Sequence, residues 1–155
     1  MNRERSITDL IRRLALEPHV EGGTFRELYR EGGRPEGRPA SGVIYYAMDR
    51  GEHADFHVLD SDEYWLYHAG ATVELWMIGE DGRAEVRRMG ITADAEPCVL
   101  IPGGTIFGAR LVSGAEEGCV MSCVTVPEFS YEHYRILPRE EVVALCPAAA
   151  AFFEE

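Results

Sequence analysis

Two short apolar runs carry the side chains best suited to proton chemistry. His57 lies in DFHVL, and Glu63 opens EYWLYH. Alternate residues of a strand share a face, so Glu63, Trp65 and Tyr67 project to one side while His68 projects to the other. A carboxylate close to an imidazole fixes one tautomer and raises its basicity, leaving the second nitrogen free to move a proton near neutral pH. The same two side chains can instead form a buried tether between strands. A catalytic transition metal ordinarily takes about three protein ligands. His57 and Glu63 supply only two. The expectation is therefore no metal and no other cofactor. Tyr45 and Tyr46 are adjacent in GVIYYAM, so one faces in and the other out, and alternation does not choose between them. Tyr46 is the candidate proton donor and Tyr45 a candidate ligand contact. His53 reads as a surface turn residue.

These groups need a scaffold of strands. From Thr24 onward the chain is a series of β-favouring runs, TFRELY, GVIYYAM, DFHVL, EYWLYH, TVELWMI, AEVRRM, CVLI, IFGARLV and CVMSCVTV, nearly all separated by Gly, Pro, Asp or Ser. That spacing indicates an antiparallel sandwich, jelly roll or barrel rather than βαβ units. Ser6 can cap a short helix with Asp9 three residues on, with Ile7, Leu10, Ile11 and Leu14 as its apolar stripe and Pro18 as its stop. PREEVVALCPAAAAFFEE favours helix again, with Pro147 starting a second helical turn or kinking the first, and reads as a C-terminal appendage. EGGRPEGRPASG, residues 31–42, reads as a surface excursion.

At 155 residues and 46% hydrophobic content, the expectation is a single domain over residues 1–155 with a barrel core at about 22–137. A formal charge of −12 repels phosphate backbones and anionic lipid, so no nucleic-acid or membrane partner is expected. No apolar run is long enough to span a bilayer, and MNRERSITDL lacks the apolar segment of a signal peptide, which leads to a cytoplasmic protein as the expectation. Cys98, Cys119, Cys123 and Cys146 have no zinc-like or disulfide-framework spacing and read as reduced, mostly buried side chains.

The pattern resembles the first motif of the cupin superfamily, GxxxxxHxHxxxExxxxxxG, through Gly51, His57, Glu63 and Gly70. Leu59 stands where that motif has its second His. The second motif, GxxxxxPxGxxHxxxN, keeps Pro102 and Gly104, with Phe107 at the position of the metal-binding His. Two of four expected ligands are thus apolar, and Trp65, Tyr67 and Phe107 are expected to line the pocket as flat surfaces. LALEPHVEGGTFRELYR, GVIYYAM, FHVLDSDEYWLYHAGATVEL, the PGG turn and VPEFSYEHYRI look like one branch, the fifth cupin subfamily, over about Leu10 to Leu137. Val20 and Glu128 replace that branch's usual Pro and Gly at turns. The resemblance implies an all-β double-stranded β-helix, an RmlC-like jelly roll with short terminal helices, commonly a homodimer, in a branch that also lacks the second His. It also marks Glu21 and Arg26, in the opening EGGxFRE stretch, as candidate substrate-binding residues. An inward Arg26 can clamp a carboxylate or phosphate, and an outward one makes a surface salt bridge.

Three functions compete. The first is a metal-independent isomerase, epimerase or lyase acting on a small polar metabolite, with His57 as base, Glu63 orienting it and a barrel Tyr as acid. By analogy of fold, metal-free cupins such as sugar-nucleotide epimerases and some dehydratases work this way. The second is a non-catalytic carbohydrate- or nucleotide-binding module stacking its ligand on Trp65, Tyr67 and Phe107. The third is a divalent-metal enzyme with a degenerate site built on His57 and Glu63.

Overall fold

The computed structural model describes residues 6–30 and 38–154. Residues 31–37, most of the EGGRPEGRPASG excursion, therefore lie outside the described residues. Ser6 caps helix α1 (Ile7–Leu14), its hydroxyl accepting from the Asp9 amide at 3.1 Å. The helix ends before Pro18, with Ala15 in the left-handed conformation at its C-terminus. Pro18 belongs instead to a two-residue strand, β1 (Glu17–Pro18).

Ten further strands follow: β2 (Thr24–Arg30), β3 (Gly42–Met48), β4 (His53–Leu59), β5 (Asp62–Gly70), β6 (Val73–Ile78), β7 (Ala84–Met89), β8 (Cys98–Ile101), β9 (Ile106–Leu111), β10 (Cys119–Val126) and β11 (Tyr134–Ile136). They form two antiparallel sheets, in the orders β1-β2-β3-β10-β5-β8 and β11-β4-β9-β6-β7. This is the all-β, antiparallel architecture expected from the strand spacing, in the jelly-roll form that the resemblance implies. Alternation sends Tyr46, Met48, Trp65, Met121 and Cys123 from the first sheet against Leu75, Met77, Phe107 and Ala109 from the second, making the interior core.

β6 departs from simple alternation because all six of its residues are buried. Val73, Leu75 and Met77 face the interior, while Trp76 and Ile78 face a second core with Phe56, Val142, Cys146, Ala149 and Phe152. The C-terminal segment, α2 (Arg139–Leu145) followed by a 3-10 turn at Pro147–Phe153, supplies that cover. It is a structural layer over the outer face of the second sheet rather than an appendage. α1 seals the other sheet through Ile7 against Ala47 and Val120. The cysteines are all free, and three are buried, with Cys98 exposed.

Candidate active site

The site begins with a turn in the PHVEGG stretch. Gly22 and Gly23 both have positive φ, and a Cβ on Gly22 would stand 1.9 Å from the His53 carbonyl oxygen. Only glycine lets the turn lie so close to β4. Among the hydrogen bonds that fix it are the His19 amide to the Gly23 carbonyl at 2.9 Å, the Asp55 amide to the Glu21 carbonyl at 2.7 Å, and the Tyr46 hydroxyl to the Gly22 carbonyl at 2.6 Å. Val20, between the two functional side chains, is exposed, so a residue other than Pro is accommodated there. The outcome is that His19 and Glu21, two residues apart, both enter the barrel mouth.

They line a cavity of about 380 Å³ with Phe25 and Glu27 of β2, Tyr46 of β3, His57 and Leu59 of β4, Glu63 of β5, Cys123 and Thr125 of β10, and Glu128, Phe129, Tyr131 and Tyr134 from the segment leading into β11. His57 is held at both nitrogens. Its Nδ1 lies 2.6 Å from the Asp55 carbonyl oxygen, which can only accept, so Nδ1 carries the hydrogen. Nε2 therefore faces Glu21 Oε2, at 3.2 Å. The same carboxyl oxygen accepts from the Tyr134 hydroxyl at 2.9 Å. Glu63 accepts from Trp65 Nε1 at 2.9 Å and takes a further hydrogen bond from Cys123.

Burial dominates the electrostatics. It raises the Glu21 carboxyl to about 7, against the opposing charge of His19 and the Tyr134 hydrogen bond. It raises Glu63 to about 7 as well, against the charge of His57 and reinforced by the charge of Glu21. Burial lowers His57 and His19, so both imidazoles favour the neutral form, with the charge of Glu63 partly offsetting the effect at His57. The cavity thus holds two carboxyls that exchange protons near pH 7 beside a neutral imidazole with a defined tautomer.

Against the sequence expectations, His57, Glu63, Glu21 and Tyr46 come together in the cavity wall. The hydrogen-bonding arrangement differs. Glu21 and the Asp55 carbonyl, rather than Glu63, are the polar partners of the His57 ring. Tyr46 faces in, but it is only 1% exposed and its hydroxyl is committed to Gly22. Tyr45 and Arg26, named as candidate ligand contacts, do not line this cavity. They sit on the outer face of the sheet, where the Arg26 guanidinium lies over the Tyr45 ring and donates to the Leu14 carbonyl at 2.7 Å. Trp65, Tyr67 and Phe107 point inward as their phase requires, yet none of them lines the cavity. Trp65 and Phe107 are fully buried packing, Phe107 lying with its ring centroid 4.2 Å from that of His57. Tyr67 donates to the Gly70 carbonyl at 2.6 Å. The aromatic wall comes instead from Phe25, Phe129, Tyr131 and Tyr134. His68 points outward as expected and bonds Ser122. His53 pairs with Asp55 at the surface.

His19 and Tyr134 are polar cavity side chains that the sequence pattern did not single out. His19 had a usable signal in its two-residue spacing from Glu21. Tyr134 had none, because its place depends on β11 pairing with Leu59 of β4 across a long separation in sequence.

A pair of antiparallel sheets closing on an interior cavity, with His57 and Glu63 at the barrel mouth, defines a cupin. The chain belongs to the family described as Cupin superfamily (DUF985), whose model matches residues 8–137. Among solved structures, a Shewanella oneidensis protein is 32% identical with a TM-score of 0.86, over 94% of this chain and 93% of that one. A hypothetical protein from Leishmania major is 27% identical with a TM-score of 0.82, over 94% and 95%. The oxalate decarboxylase of Bacillus subtilis shares the fold at 18% identity and a TM-score of 0.59, over 88% of this chain and 34% of that one. No curated protein matches the sequence.

Cupin metal centres take their ligands at positions filled here by Leu59 and Phe107. Among the described residues, no three His, Cys, Asp or Glu side chains are arranged to hold a metal ion. Among the described residues, no helix is long and apolar enough to cross a membrane.

Proposed function

We propose that the cavity carries out proton transfer on a small polar metabolite, as a metal-independent isomerase, epimerase or lyase. The observation that carries this reading is the coupling of His57 Nε2 to Glu21 Oε2 at 3.2 Å in the cavity wall, with Nδ1 anchored on a backbone carbonyl. A single proton moves between imidazole and carboxyl at little cost when burial brings their proton affinities together. His57 with Glu21 accepts a proton from the ligand. Glu63, a second carboxyl that titrates near 7, returns one from another direction. Tyr134 replaces Tyr46 as the candidate hydroxyl, since it donates to Glu21 at the cavity surface.

The test is the mass of the co-purifying ligand, released by denaturation after long incubation of the protein in D2O. Proton transfer at carbon predicts deuterium uptake or conversion of the ligand with wild-type protein and neither with His57→Gln. A ligand retained unchanged and unlabelled by the wild type would instead identify a binding module.

A further inference from the structure

We propose that the ligand enters the cavity through a protonated amine, seated between Glu21 and Glu63. This rests on the cavity being the functional site but not on turnover. The first support is the charge of the lining. Among the described residues, Glu21, Glu27 and Glu63 contribute carboxyls to the lining, and no arginine or lysine does. The whole chain contains no lysine. Arg38 stands at the rim, but its guanidinium is engaged by both Asp60 carboxylate oxygens, at 2.6 and 2.9 Å, by the Glu128 carbonyl at 2.8 Å and by Ser61 at 3.2 Å. Among the described residues of the lining, a carboxylate or phosphate ligand would meet carboxyls and no arginine or lysine, in a poorly solvated space.

The second support is the entrance. Phe129, Tyr131 and Tyr134 cluster there, with ring centroids 4.7 Å apart for Phe129 and Tyr131 and 5.0 Å apart for Phe129 and Tyr134. Aromatic faces attract cations and are indifferent to neutral polyols on electrostatic grounds. The third is the proton inventory. Glu21 faces His19, His57, Tyr134 and Asp55, while Glu63 faces His57, Glu21, Trp65 and Cys123. None of these supplies a permanent positive charge. An ammonium would supply it, and one of the two acids would ionise in response, releasing a proton to solvent.

Isothermal calorimetry of the purified protein tests this with two matched sets: glucosamine, glucose and gluconate, then ethanolamine, ethylene glycol and glycolate. At least one amine should bind more than about tenfold tighter than its neutral and anionic counterparts. Repeating the titration in buffers of different ionisation enthalpy should show proton release at pH 7, and affinity should rise between pH 6 and 8. Glu63→Gln should weaken amine binding while keeping a cooperative unfolding transition. Glu27→Gln, at an exposed position, should weaken it less. A neutral or anionic member that binds as tightly as its amine, or no amine binding at millimolar concentration, overturns the proposal. Amine binding without deuterium uptake would retain it and remove the proton-transfer reading instead.

Discussion

Replacing Glu63 by Gln should alter how stability depends on pH, and the change can be worked from the burial of this carboxyl. Glu63 titrates near 7 in the folded protein against an ordinary value of 4.5. Holding it there costs the ionised form about 3 kcal/mol. The raised value means the folded state binds the proton more tightly than the unfolded one. The contribution is therefore fully present below about pH 4.5, falls as pH rises toward 7, and is lost above that. Gln keeps an acceptor for Trp65 Nε1 but cannot ionise. Urea denaturation followed by tryptophan fluorescence gives the free-energy difference between wild type and Glu63→Gln at each pH. That difference should move in favour of the variant by up to about 3 kcal/mol between pH 4.5 and 8. A difference that stays constant over this range, or moves the other way, would refute a buried carboxyl held neutral by desolvation.

Two further outcomes concern the scaffold. Phe152→Ala, in the second core against Phe56 and Trp76, should cost about 3–5 kcal/mol in the same denaturation assay. A cost under about 1 kcal/mol would return the C-terminal segment to the status of an appendage. Tyr64, Leu100 and Val126 are exposed apolar groups on the outer face of the six-stranded sheet, and the family resemblance leads us to expect a homodimer. Light scattering should then give about twice the 17.3 kDa chain mass, and Leu100→Glu should shift it toward one chain.

Local pattern carried the fold and one half of the site. Strand runs with turn residues between them, the Ser6 cap and the positions of His57, Glu63, Pro102 and Gly104 are all written at short range, so the barrel and its mouth were legible. Phase alone also placed Trp65, Tyr67 and Phe107 inward. It could not say that they pack below the cavity, because depth along the barrel depends on which strands pair and in what register. Arg26 and Tyr45 were ambiguous for the related reason that alternation gives two faces without labelling them. The partner of His57 was misassigned since Glu21 arrives from a glycine turn outside β4 and β5, a contact made by close backbone approach rather than by spacing. The cover over Trp76 was hidden in an apolar β6 that reads the same whether one face or both are buried.

The most direct test of the site is nitrogen-15 NMR of the His57 ring. His57 should be a neutral imidazole at pH 7 with hydrogen on Nδ1 and a bare Nε2, remaining neutral to a pH below the ordinary histidine value of 6.5. A ring protonated at both nitrogens at pH 7, or one carrying its hydrogen on Nε2, would contradict it.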